Sequence, residues 1–288
     1  MSVLPTAKLL DRVRAQTPLV HCITNAVVTN FTANTLLAIG ATPAMVDIVG
    51  EAGPFAGAAS GLLVNLGTPS PEQRAASEEA VAAAIEAGTP WVLDPVAVGQ
   101  LPIRTALAEK LATMSPFAIR GNASEILALA GVGEGGKGVD STASTDAAAP
   151  VAVALAKRLG TVVAVSGPED LITDGDRVLR IANGDPLLTR VTGGGCALGA
   201  LIAAFAAVRG ECSPVETVAT AHAIYGLAAE QAATGAAGPG TFAVCLVDSL
   251  HTISTSDVAR AARVRTSMAR GSDHEFGYLS RHRPNAVR

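Results

Sequence analysis

The feature that most narrows the fold is a repeated pattern: a short apolar run, closed by a polar residue, followed by a stretch with helical spacing. It occurs at residues 18–24, 61–66, 91–95, 117–120 and 161–166. Runs this short and this apolar suit strands buried on both faces, with the intervening helices as cover. The chain therefore reads as α/β, a central, mostly parallel sheet with helices on both faces. In such sheets, ligands collect beyond the carboxyl ends of the strands. Asn25, Asn65, Asp94 and Arg120-Gly121-Asn122 all stand at or just after strand ends, which marks that edge as the expected site.

The other elements follow from spacing and punctuation. Helices are expected at 5–16, at 27–39 with Gly40 as its stop, at 71–87, at 103–113, from Asn122, and at 146–159. A short strand at 43–47 precedes a mobile-looking stretch, 50–54. Residues 131–145 are rich in Gly, Ser and Thr and read as a mobile loop. Two strands at 171–173 and 177–179 form a hairpin around Asp174-Gly175-Asp176. From 196 to about 265 the chain reads as almost continuous helix, broken at 210–214 and 235–240. With no repeat and no linker, a single domain over 1–268 is expected, and the polar tail 269–288 reads as disordered.

Composition removes several function classes. The formal charge is −4, and no long basic run occurs before the extreme C-terminus, which argues against nucleic acid or an anionic membrane as partner. Aromatic residues make up only 3%, so the core must be built from Ala, Val, Leu and Ile. Cys22, Cys196, Cys212 and Cys245 stand far apart, without the pairing of a zinc site or a disulfide framework. No signal-like N-terminus is present, and the longest charge-free apolar run, 196–208, is too short for a bilayer. A cytoplasmic enzyme or binding protein is expected.

Gly193, Gly194 and Gly195 lie between a polar approach, Leu188-Thr189-Arg190, and an apolar run ending near Val208. A glycine loop feeding the first turn of a buried helix binds anions, because its backbone approaches closely and the first-turn N–H groups are unpaired. The alternative is a plain flexible turn. Cys196 at the helix start adds chemistry, since a thiol there has its thiolate stabilised and serves as base or nucleophile.

Asp94 before Pro95 is either a turn former or a ligand. Glu125 either completes a capping box with Asn122 or is a ligand. Two carboxylates at strand ends beside an anion-binding loop suit Mg²⁺, which takes oxygen ligands from one or two carboxylates, phosphates and water. Arg120 and Lys137 are candidates for pairing with phosphates. His21 reads as a core histidine with a satisfied ring and Met45 as core.

Taken together, these motifs make the chain resemble the hydroxyethylthiazole kinases of the ribokinase-like superfamily. The resemblance rests on His21-Cys22-Ile23-Thr24-Asn25 with Asn30 and Ala33-Asn34, Gly40-Ala41-Thr42-Pro43-Ala44-Met45 and Asn65-Leu66-Gly67-Thr68. It continues through residues 93–99, 119–125, 138–141, Ser166-Gly167 and Thr192-Gly193-Gly194-Gly195-Cys196, in the family's order over about 5–265. It implies ATP-dependent phosphorylation of the primary alcohol of 4-methyl-5-(2-hydroxyethyl)thiazole, in thiamine biosynthesis and salvage. It places substrate contacts at Met45, Asn25 and Gly193, ATP contacts at Arg120 and Ser166, and Mg²⁺ on Asp94 and Glu125. The amides of 193–196 hold the developing negative charge, and Cys196 is the proton acceptor. A homotrimer with the thiazole bound between subunits is implied as well.

Gly194 is a departure, since the family usually carries Thr or Ser there. An aspartate in place of Cys196 would instead have favoured a hydroxymethylpyrimidine kinase or an ATP-dependent dehydratase of hydrated nicotinamide nucleotides. Gly194 alone suggests the remaining rival, a non-catalytic nucleotide sensor.

Overall fold

The computed structural model describes residues 6–132 and 144–269. The 131–145 loop, with Lys137 and the 138–141 motif, therefore falls mostly outside the described residues, as does the tail after residue 269.

Nine strands form one sheet, β1 (Leu19–Ile23), β2 (Thr42–Ala44), β3 (Gly61–Asn65), β4 (Trp91–Asp94), β5 (Ala118–Asn122), β6 (Val162–Ser166), β7 (Asp170–Thr173), β8 (Arg177–Ile181) and β9 (Val264–Met268). Their order is β2-β1-β3-β4-β5-β6-β7-β8-β9. The pairings from β2 to β6 are parallel, and the last three are antiparallel. The order reverses between β1 and β3, which is where an open α/β sheet leaves a crevice for a ligand.

Alternation along the strands divides the core into two layers. Leu63, Val92, Ala118 and Val162 face one side, where α1 (Thr6–Gln16), α2 (Thr29–Ile39), α8 (Gly194–Ala207), α9 (Pro214–Gly235), α10 (Pro239–Thr252) and α11 (Thr255–Ala261) pack. Leu62, Val64, Leu93 and Val163 face the other, under α3 (Ala52–Ala58), α4 (Pro71–Ala87), α5 (Pro102–Ala112), α6 (Ala123–Leu129) and α7 (Thr145–Leu159). Helix α8 is apolar all round because it is enclosed by the sheet and by α9. It lies close enough that a Cβ on Gly61 would come within 2.7 Å of the Ala203 carbonyl oxygen.

Three expectations are corrected. Residues 50–54 enter α3, where the Glu79 carboxylate on α4 accepts the N–H groups of Gly50 and Gly53, both at 2.8 Å. The chain is not helical up to 265: α11 ends at Ala261, and β9 pairs with β8 as the sheet's edge. Its alternation is hidden because four of its five side chains are exposed. His21 is indeed core, but only half satisfied: Nε2 bonds the Val46 carbonyl, while buried Nδ1 finds no partner among the described residues.

Candidate active site

Three neighbouring strands end in amide or carboxylate side chains, and these meet. Asn25 follows β1, Asn65 closes β3 and Asp94 closes β4; the last two are in register across the sheet. The Asn25 amide Nδ2 donates to Asn65 Oδ1 at 2.9 Å, and Asn65 Nδ2 donates to Asp94 Oδ2 at 2.8 Å. Asn25 Nδ2 also reaches Cys196 Sγ, at 3.6 Å. One strand further on, Arg120 of β5 holds Nη1 3.6 Å from Asp94 Oδ2. Its Nη2 and Nε donate to Ser166 Oγ of β6, at 2.9 and 3.2 Å. The sheet thus aligns a polar row that local sequence shows only as isolated residues.

The glycine loop closes this row from the α8 side. Gly193 is the N-cap in the left-handed region, φ +93°, and a Cβ there would meet Val28 of the 25–28 turn at 2.9 Å. At Gly194 a Cβ would lie 2.6 Å from the Leu188 carbonyl oxygen. The 3₁₀ turn over Pro186–Arg190 thus occupies the space a side chain at 194 would need. Gly194 N–H is turned back onto the Val191 carbonyl, 3.2 Å, so it is not one of the free amides expected for an anion. Gly195 and Cys196 remain in the first turn, which has no intrahelical acceptors for its N–H groups.

Charge in this row is strongly perturbed. Asp94 is fully buried, and burial first, then Glu125, pushes its carboxyl up to about 7 against the pull of Arg120 and the Asn65 hydrogen bond. Burial and then Asp94 push the Cys196 thiol up to about 11; Arg120 and the two amides work the other way. Burial beside Asp94 thus works against the thiolate stabilisation expected of a helix start. Burial opposes the charge on Arg120, but Asp94, Cys196, Glu125 and Asp170 carry its pKa upward overall.

Glu125 adopts the capping box anticipated for it. It accepts Asn122 N–H on Oε2 at 2.8 Å, and Asn122 Oδ1 accepts Glu125 N–H at 2.9 Å. Its Oε1 also accepts Ala97 N–H at 2.9 Å, so it ties the turn after β4 to the start of α6.

This architecture is matched by known proteins. The hydroxyethylthiazole kinase family model covers residues 10–256. The chain belongs to the hydroxyethylthiazole kinase family. A hydroxyethylthiazole kinase of Clavibacter sepedonicus is 57% identical over 259 residues, 90% of this chain and 94% of that one. The structure of the hydroxyethylthiazole kinase of Pyrococcus horikoshii OT3 superposes with a TM-score of 0.83 at 38% identity, covering 91% of this chain and 98% of its own. A ribokinase-like superfamily protein of Enterococcus faecalis shares the fold alone, with a TM-score of 0.57 at 14% identity over 82% of this chain and 88% of its own.

Within this hydroxyethylthiazole kinase family member, the fold brings together Asn25, Asp94, Arg120, Ser166 and the 193–196 loop. Met45 lies half-buried just past β2, on the same carboxyl edge of the sheet but at its β2 end. Sequence reading missed the supports behind the row. Asp170 accepts Gly167 N–H on Oδ1 at 2.9 Å and meets His222 Nδ1 of α9 on Oδ2 at 2.6 Å, bracing the turn after Ser166. Gln73 of α4 donates to the Thr24 carbonyl and to Asp47, tying the segment after Met45 to the end of β1. No local signal marks the His222 and Gln73 contacts, since those partners are remote in the chain, whereas Asp170 meets Gly167 only three residues away.

Proposed function

We propose that this chain transfers the γ-phosphoryl group of ATP to the primary alcohol of 4-methyl-5-(2-hydroxyethyl)thiazole. Thiazole occupies the β1–β3 crevice between Asn25, Met45 and Gly193, and nucleotide lies over Arg120 and Ser166. The observation that carries this reading is the single row running from Cys196 through Asn25, Asn65 and Asp94 to Arg120 and Ser166, under a glycine loop and a helix start. Phosphoryl transfer needs mainly positioning and charge stabilisation, and that row supplies both.

The donor set also fits Mg²⁺. Asp94 Oδ1 is buried without a partner among the described residues. Each Glu125 oxygen holds one backbone N–H and keeps a second lone pair. Among the described residues no three His, Cys, Asp or Glu side chains gather as a metal cage. Asp94 would hold the ion directly and Glu125 would support it, with substrate phosphates completing the shell; the ion would supply positive charge against the phosphates. Arg120 orients the phosphate chain, and the Gly195 and Cys196 amides face the transferred group. Cys196 accepts the alcohol proton, aided by Arg120 and the two Asn amides, which favour its thiolate.

We infer a homotrimer whose thiazole sites lie between subunits. Val27, which is 68% exposed, and Ile48 and Val49 support this, being large apolar side chains left uncovered next to the carboxyl ends of β1 and β2. The working compartment is the cytoplasm; among the described residues no helix is long and apolar enough to cross a membrane.

ATP consumption measured with the thiazole alcohol, with a hydroxymethylpyrimidine and with neither tests the reading. Turnover confined to the thiazole alcohol is expected. Preference for the pyrimidine, or ATP use without an alcohol, would replace it with another ribokinase-like activity. Nucleotide binding without any turnover would favour a sensor.

A further inference from the structure

We propose that Asn65 is a positioning residue for phosphoryl transfer: its amide decides which oxygen of Asp94 stays open to the metal. This rests on the function proposed above. Asn65 is buried at the end of β3, and its amide has one accepting and one donating end. The accepting end is anchored. Oδ1 takes the backbone N–H of Gly67 at 3.0 Å, a donor that cannot reverse, together with the Asn25 amide at 2.9 Å. The donating end therefore has to face Asp94 Oδ2, at 2.8 Å. Arg120 faces the same oxygen at 3.6 Å, so both donors gather on Oδ2.

Oδ1 of Asp94 is left bare among the described residues, although the side chain is fully buried. A buried carboxylate oxygen without a donor is costly unless something fills the position, and a cation does so. Gly67 completes the arrangement by close approach, since a Cβ there would fall 2.7 Å from Asn25 Nδ2. Asn65 meets Oδ2 from one side and Arg120 from the other, which leaves Oδ1 as the open oxygen of Asp94 among the described residues. The supporting partners of a metal ligand act through the ligand's orientation, and losing one typically reduces metal affinity or activity by about 10–100-fold.

Two full-length variants test this, Asn65→Ala and Asn65→Asp. The aspartate keeps an acceptor for Gly67 and Asn25, replaces the donor by a carboxylate oxygen and adds negative charge beside Asp94. For each, kcat and KM are measured with ATP and the thiazole alcohol, Mn²⁺ binding is followed by electron paramagnetic resonance with ADP present, and melting is recorded. Both variants are expected to lose about 10–100-fold in kcat, and Asn65→Ala to need more Mn²⁺ for half-saturation by a similar factor, while the KM for ATP stays within about threefold; Asn65→Asp, whose added carboxylate attracts the ion, is read on kcat. Folded variants with wild-type kcat and wild-type Mn²⁺ binding would overturn the proposal, as would a loss confined to melting temperature. Should Asn65→Ala fail to fold, Asn65→Asp still reads kcat against melting temperature. Wild-type enzyme in the same assay separates the two levels: if it does not turn over the thiazole alcohol, the function is wrong, and the Mn²⁺ comparison still judges Asn65.

Discussion

Replacing Cys196 with alanine tests whether the thiol is a base or only a small residue at a helix start. The thiol sits at about 11, raised by burial and by Asp94. At pH 7.5, only about 3 thiols in 10,000 are then ionised in the resting site. A rate that depends on this thiolate should climb roughly tenfold per pH unit through the neutral range. General-base assistance is typically worth about 10²–10⁴-fold, or roughly 3–5 kcal/mol in the barrier, and Cys196→Ala should lose kcat within that range. Its KM for ATP should stay near normal, because Arg120, Ser166 and the Gly195 and Cys196-position amides are untouched. Cys196→Asp should flatten the profile between about pH 7 and 9, since a carboxylate ionises well below a buried thiol. Rapid-quench measurement of the first turnover, against pH, isolates the chemical step. If Cys196→Ala matches the wild-type rate in that experiment, the proton goes elsewhere and the reasoning fails.

Asp94 binds its proton more tightly folded, at about 7, than unfolded, near 3.9. Metal-free enzyme should therefore lose stability as pH rises from about 4 through about 7, by up to about 4 kcal/mol, and Asp94→Asn should abolish that slope in urea melts with a chelator present while weakening Mg²⁺ activation. Glu125→Gln can keep only one of two carboxylate acceptor positions, so it should cost about 1–3 kcal/mol and lower the melting temperature by several degrees, in place of the unchanged melting that a purely metal-binding role implies. Gly194→Thr should destabilise by about 1–3 kcal/mol and lower activity, because its Cβ meets the Leu188 carbonyl oxygen; scanning calorimetry checks it. Dilution to monomer should abolish turnover, and fully active monomers in sedimentation and assay at one concentration would exclude a shared site.

The Asn122–Glu125 capping box, helix α4 and the hairpin of β7 and β8 were legible because each is decided by residues a few positions apart. Strand ends were legible too, since apolar runs stop where a polar side chain begins, and this pointed to the right edge of the sheet. Edge strand β9 was not, because its pairing with β8 comes from backbone hydrogen bonds that leave no mark on exposed side chains. The 50–54 segment read as loose for a related reason: Glu79, which pins it, lies a helix away.

The sequence by itself determined the α/β class, the sheet edge where the polar side chains gather, and which residue types reach it. Only the tertiary structure decided their charge states and partners. Local reading of Cys196 sees a helix dipole and lowers the thiol, whereas assembly buries it beside Asp94 and raises it to about 11. Desolvation is a property of everything packed around a group, and Asp94, Asn65, Asn25 and Cys196 become neighbours only when three strands and α8 converge.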